Sequence, residues 1–389
     1  MILIENVDVY APESLGKKSV LIGGGKLLGV VPPESMRIEG LPVTRIHAEG
    51  KLLIPGLVDP LVHFTGGGGE GGYTSRTPEM MLSEAIEGGT TTLVGALGTD
   101  AITRSLENLL AKARALEEEG VSTYCYTGSY QVPPKTLFSG IQEDLMLIDK
   151  FIGVGEVAIS DHRSSQPTIQ ELARLASQCR VGGMLSGKVG IVFVHVGDGP
   201  AMLGPLYEVA NQTDLPLSQF YPTHINRHQA LLKAGVAFVE AGGYIDLTTS
   251  TTPQLLEMGE VEAPCALRWL LDQGVRPDRI TLSSDGNASL PCFNGQGEMI
   301  GLTVGKPKSL FEALKSAVLQ HGVDIATALA TATLNPATAL KLPGKGQIKV
   351  GADADVLLID RASWTLDTVI ARGQIMMYEG RILKRGRFE

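Results

Sequence analysis

Apolar and polar positions along the 389-residue chain follow two different rhythms. In the middle of the chain, apolar runs of six to eight residues alternate with longer amphipathic stretches. The runs LVDPLVHF (57–64), TTTLVGAL (90–97), VSTYCYT (121–127) and IGVGEVAI (152–159) are rich in β-branched residues. They are followed by GIVFVHV (190–196), LSQFYPT (217–223), GYIDLTT (243–249) and RITLSS (279–284), which makes eight predicted strands. The intervening stretches 77–89, 103–120, 168–180 and 308–322 predict helices. Several open on Ser, Thr or Pro near the first turn and close at Gly. Apolar strands separated by helices imply a parallel sheet covered by helices. Eight such units predict an α/β chain with a (β/α)8 TIM barrel over residues 55–344. An open doubly wound sheet is the alternative, but no G-x-G-x-x-G follows the first strand.

The two ends have the second rhythm. Residues 1–54 and 345–389 alternate over short spans separated by Gly turns, and neither has enough apolar material to stand alone. A small β-sandwich domain built from both termini would bury both sets. The composition is that of a globular protein, with 43% hydrophobic and 19% charged residues. With 33 Lys and Arg against 42 Asp and Glu, the net charge is −9, and no basic stripe is present. This excludes nucleic acid and an acidic membrane surface as expected partners. No apolar run approaches the roughly 18 residues of a membrane span. The opening MILIENVDVY lacks the basic, apolar and small-residue segments of a signal peptide. Four scattered cysteines (Cys125, Cys179, Cys265, Cys292) form no C-x-x-C pair. The expectation is a cytoplasmic protein with free thiols.

Candidate chemistry sits at the C-terminal ends of the predicted strands, where a parallel barrel builds its site. His63 closes the first run, His195 lies near the end of the fifth and His224 follows the sixth. Glu156 lies inside the fourth and Asp285 follows the eighth. Any one of these histidines, taken singly, reads as an ordinary hydrogen-bonded core or rim residue, and Asp285 before Gly286 as a turn former. Glu156 is different, because an unpaired carboxylate in an apolar run costs several kcal/mol. Five groups of ligand type at one rim suit zinc or a similar divalent ion, with manganese and iron also accepting this donor set. Leu61 stands two residues before His63, on the same strand face, where a His-x-His pair would have its first member.

This order of residues resembles the amidohydrolase superfamily, in which a His-x-His pair, a Lys or Glu, two further His and an Asp follow one another on barrel strands. The strings GGGGEGG (66–72), ALGTD (96–100), TGSYQVP (127–133), VAISDHRSS (157–165), PTHINR (222–227) and LSSDGNAS (282–289) more narrowly resemble the isoaspartyl dipeptidases, end to end. Those enzymes hydrolyse β-aspartyl peptides with two metals bridged by a carboxylated Lys. Here Leu61 cannot ligate, and Glu156 supplies the carboxylate directly. The resemblance implies Glu156, His195 and His224 as ligands of one Zn2+ ion, with two ions as the alternative. His63 and Asp285 are implied as further metal contacts.

Asp285 is implied as general base and then acid, and Tyr130 as a donor to the carbonyl oxygen. Glu70 matches the acid that pairs with the substrate α-ammonium, and Arg163 and Arg227 match arginines that hold its carboxylates. Thr99 and Ser289 match lesser polar contacts. His162 and His228 are expected to be structural or to support a site residue from behind, and His47 and His321 to lie on the surface or in the sandwich. The implied activity is metal-dependent hydrolysis of β-aspartyl dipeptides by a homo-oligomer. The alternatives are an amidase or deacylase for another N-acyl amino acid, and a catalytically impaired protein that binds a small zwitterion.

Overall fold

The computed structural model describes residues 1–36, 38–293 and 299–389. The eight predicted strands form as β1 (Leu57–Val62), β2 (Thr90–Gly95), β3 (Ser122–Thr127), β4 (Phe151–Ile159), β5 (Ile191–Val196), β6 (Phe220–Thr223), β7 (Ile245–Thr248) and β8 (Ile280–Ser283). β1 to β6 make one parallel six-stranded sheet in sequence order, and β7 and β8 pair in parallel. The end of β8 returns to β1. The Ser284 amide donates to Asp59 Oδ1 at 3.1 Å, and the His63 amide to the Gly286 carbonyl at 2.8 Å. β6 reaches β7 through the Thr223 hydroxyl, 2.6 Å from Asp246 Oδ2. Every residue of β1 and β2 is buried, as expected of parallel strands covered on both faces.

Leu61 packs inside the strands with Val58, Val94, Tyr126, Phe193 and Tyr221. The rings of Tyr126 and Phe193 stack at 4.9 Å, and Tyr221 meets Phe193 edge-on at 5.0 Å. This packed column is the floor on which the polar ends of the strands rest.

Helices follow the strands, with two departures from the sequence expectation. Residues 77–81 are not helical, and the helix begins only at Leu82. The Met80 amide donates to the Phe64 carbonyl, and the Thr77 hydroxyl to the Asn287 carbonyl at 2.6 Å, so tertiary bonds replace the first helical turn. The helix expected over 168–180 instead runs Ile169–Ser186 and takes in Gly182 and Gly183. A side chain at Gly183 would lie 2.5 Å from the Gly190 Cα, so here glycine permits close packing rather than ending the helix.

The strands of both chain ends belong to one nine-stranded sheet. Its joint is the antiparallel pairing of Lys51–Pro55 with Val356–Asp360. Alternation divides the faces: Leu53, Val356 and Leu358 join a core with Ile4, Val9 and Ile22, whereas Leu52, Ile54 and Leu357 join the larger core under the helices. Among the described residues, no helix is long and apolar enough to cross a membrane.

Candidate active site

The strand ends bring Glu156, His195 and His224 together, all buried, with one potential ligand atom from each lying within 4.8 Å of the others. Glu156 comes from β4 and His195 from β5. His224 follows β6 in left-handed backbone (φ 63°), and Asp285 follows β8 in the same region (φ 50°). Non-glycine residues rarely adopt this conformation, and here it turns both side chains back over the sheet end.

Glu156 Oε1 is 3.4 Å from His195 Nδ1 and 3.3 Å from His224 Nε2. Ligands about 2.1 Å from a tetrahedral ion lie about 3.4 Å apart, so this spacing fits a zinc-like cation. Glu156 Oε2 is buried without a hydrogen-bond partner, and His63 Nε2 is 3.7 Å from it. A buried anionic oxygen with no hydrogen-bond donor, on a carboxylate whose other oxygen faces two ring nitrogens, is what a cation would complete. Burial opposes the charge on Glu156, but the His195 and His224 rings beside it outweigh that and hold the carboxyl well below its usual range. Burial pushes His224 down to about 4, against its bond to Glu156, leaving the ring neutral as a metal ligand must be.

Each imidazole is fixed from behind. His195 Nε2 lies 2.9 Å from Asp161 Oδ2, and its Nδ1 accepts from the Tyr130 hydroxyl at 2.8 Å. His224 Nδ1 meets the Thr248 hydroxyl at 2.5 Å. His63 donates from Nδ1 to the Ala96 carbonyl at 3.1 Å, and its Nε2 faces Asp285 Oδ1 at 3.1 Å. Burial disfavours a charged His63 ring, yet the bond to Asp285 and the charges of Asp285 and Glu156 raise it to about 9. The same contact keeps Asp285 low despite its burial.

At this cluster opens a cavity of about 440 Å3, lined also by Glu70, Thr99, Tyr130, Arg163, Arg227 and Ser289. Apolar Leu255, Met258, Leu290 and Leu302 also line it. Gly68, at φ +70°, lets the glycine run lie against Ser289; a Cβ there would sit 2.6 Å from the serine Cβ. Arg104 anchors the run by donating to the Gly67 and Thr77 carbonyls at 3.0 and 2.9 Å.

The two arginines differ. Arg227 donates from Nε to the Val196 carbonyl at 3.0 Å and has no carboxylate within ion-pair distance among the described residues. Arg163 gives Nε and Nη2 to Asp161 at 2.9 and 2.7 Å, and its Nη1 approaches Glu70 at 3.3 Å. Glu70 also accepts from Thr99 at 2.7 Å.

Of the remaining histidines, His228 caps a helix by accepting from the Leu231 amide. His47 is exposed beside Glu5, and His321 lies against Cys265. His162 has an 86% exposed side chain that lines the cavity, and its Nδ1 lies 3.7 Å from Asp161 Oδ1.

Sequence reasoning passed over Asp161 and Thr248. Both stand at strand ends, Asp161 within the singled-out SDHRS string; the signal available was an acid or hydroxyl beside a ligand-bearing strand.

The sequence profile of the Amidohydrolase family matches residues 230–376. The β-aspartyl dipeptidase of the thermophilic keratin degrader Fervidobacterium islandicum AW-1 is 43% identical, with each chain 98% covered and a TM-score of 0.89. Its complex with the β-Asp-Leu dipeptide is 44% identical over 98% of this chain and 97% of that one, at a TM-score of 0.91. An adenine deaminase of Roseobacter denitrificans aligns with 97% of this chain at 23% identity, and the chain spans 57% of that protein's length. At that identity the likeness speaks for common descent of the scaffold rather than for shared chemistry. With the Fervidobacterium enzyme matched from end to end, the chain belongs to the β-aspartyl dipeptidase family of the amidohydrolases.

Proposed function

We propose that this protein hydrolyses β-aspartyl dipeptides with one tightly held divalent cation, zinc being the first choice. The observation that carries the reading is the buried Glu156 carboxylate, one oxygen without a hydrogen-bond partner and 3.7 Å from His63, the other 3.4 and 3.3 Å from His195 and His224, at a cavity lined by groups of opposite charge. Glu156, His195 and His224 would hold the ion, with His63 and Asp285 at its side. When bound, such an ion supplies Lewis acidity, lowering the pKa of water toward neutrality and polarising the scissile carbonyl.

The chain's own groups do the rest. Asp285, at the cavity wall, accepts the proton of the attacking water and returns it to the departing amine as the C–N bond breaks. The Tyr130 hydroxyl donates to the developing oxyanion once His195 Nδ1 is engaged elsewhere. Glu70 pairs with the substrate ammonium, and Arg227 takes a carboxylate in the fork geometry suited to guanidinium. Arg163 supports Glu70 and offers the substrate its outer nitrogen, with Thr99 and Ser289 as lesser contacts. The apolar wall of Leu255, Met258, Leu290 and Leu302 suits an aliphatic residue after the β-aspartyl group, in keeping with the dipeptide bound to the Fervidobacterium enzyme.

Leu61 supports a single ion. It fills with hydrocarbon the place where a second ion's imidazole would stand, and Tyr126, Phe193 and Tyr221 pack around it. We further read the eight strands as a closed (β/α)8 barrel over 55–344, with a β-sandwich domain from 1–54 and 345–389. The whole would be a cytoplasmic homo-oligomer.

The test is a panel of β-aspartyl dipeptides and N-acetyl amino acids against purified protein. The expected result is release of Asp and Leu from β-Asp-Leu, abolished by chelation. Turnover of N-acyl amino acids alone, or of nothing with metal bound, would overturn the reading.

A further inference from the structure

Between the substrate side of the cavity and the ligand cluster runs a chain of bonds with one residue at its centre. Asp161 Oδ2 accepts from both His195 Nε2 at 2.9 Å and Arg163 Nη2 at 2.7 Å. Its Oδ1 accepts from Arg163 Nε at 2.9 Å and from the Arg163 amide at 2.8 Å. The carboxylate side chain is 3% exposed, as is that of His195. Arg163 continues to Glu70 through Nη1.

These contacts decide a tautomer. An ionised carboxylate only accepts, so 2.9 Å from Nε2 requires the proton on that nitrogen. Arg163 Nη2, 3.2 Å from the same ring nitrogen, also only donates, so it shares Asp161 rather than bonding the ring. The lone pair is left on Nδ1, which faces Glu156 Oε1 at 3.4 Å and accepts from Tyr130. Without Asp161, Nε2 loses its acceptor and Arg163 becomes the nearest polar neighbour. A donor there favours the other tautomer, with Nδ1 protonated and unable to ligate.

We propose that Asp161 is a positioning residue that fixes His195 as the Nε2–H tautomer and holds Arg163 in the same frame, joining the metal ligand to the substrate-binding wall. Asp161 is not among the residues that line the cavity. The inference rests on the metal-site reading above but not on the identity of the dipeptide.

The first measurement uses metal-free full-length protein with 15N-labelled histidine rings. His195, assigned through His195→Gln, should show its protonated nitrogen as Nε2 in the wild type and lose that preference in Asp161→Ala. The second is titration with Zn2+ alone against a competing chromophoric chelator. Asp161→Ala should bind 10- to 100-fold more weakly. Asp161→Asn, which can present one acceptor atom instead of two, should fall between. Melting curves of the metal-free variants separate a positioning effect from general loss of fold, and the wild-type tautomer stands as a test even if Asp161→Ala does not fold. An Nδ1–H tautomer in the wild type, or Zn2+ affinity of a folded Asp161→Ala within twofold of wild type, overturns the inference. Absence of Zn2+ binding by the wild type overturns both readings. Weakened binding in the variant of a protein that does not cleave β-Asp-Leu leaves Asp161's role standing and removes only the dipeptidase assignment.

Discussion

Arg227→Met separates the two arginines of the cavity and puts a number on substrate recognition. Arg227 is half-buried, is oriented by one bond to the Val196 carbonyl, and has no carboxylate partner among the described residues, so its guanidinium is uncommitted. Arg163 already spends two nitrogens on Asp161. A hydrogen bond to a charged group contributes about 1.5–3 kcal/mol, so losing the fork on a substrate carboxylate should cost about 10- to 150-fold in kcat/KM. Methionine keeps the apolar stem, which limits the change to the charged head. The loss should fall mainly on KM, because the carboxylate is bound alike before and during reaction. Steady-state kinetics with β-Asp-Leu measures this, and β-Asp-Leu-amide provides the cycle: if Arg227 holds the leucine carboxylate, the substitution should matter little for the amide. If instead it holds the α-carboxylate of the aspartyl residue, the loss should be equal for both. A KM within twofold of wild type for both substrates would refute the assignment of Arg227.

Two other outcomes follow from the same geometry. Asp285→Ala should lower kcat for β-Asp-Leu by about 10²- to 10⁴-fold, the usual contribution of a positioned general base; full retained turnover removes Asp285 from the mechanism. Asp59→Asn should stabilise the protein at high pH, read by denaturant melts at pH 4 and pH 8. Burial raises the Asp59 carboxyl from 3.8 to about 7 against bonds from Ser284 and the Leu61 amide, so its ionisation above pH 7 costs the fold about 4 kcal/mol. That cost fades as pH falls from 7 to 4, because the folded form takes up the proton first. The wild type should therefore lose more stability than the variant on raising the pH through this window, by up to that amount, and equal pH slopes for the two would sink the argument.

The strands were legible because their burial on both faces leaves an unmistakable apolar run, bounded by turn residues, in each of eight places. Helix limits were less so. Nothing local says that Thr77 and Met80 would bond to Asn287 and Phe64, or that Gly182 and Gly183 would face packed neighbours instead of solvent. The ligand cluster could be read because each member is a costly residue in an apolar setting, and Glu156 had no innocent reason to be there. Asp161 and Thr248 were hidden for the opposite reason: each is unremarked in its own segment and gains meaning only from an imidazole on the adjoining strand. Arg163 shows the limit clearly, since a sequence indicates that a guanidinium wants a carboxylate but not whether protein or substrate supplies it.

The claim on which everything else depends is that Glu156 and two imidazoles hold one divalent cation. Elemental analysis of purified protein, after dialysis against Zn2+ and removal of loosely bound ion, tests it directly, with Glu156→Gln prepared in parallel. One ion per chain in the wild type and none in Glu156→Gln is the predicted result. Two ions per chain, none, or one that survives the loss of the Glu156 carboxylate would contradict it.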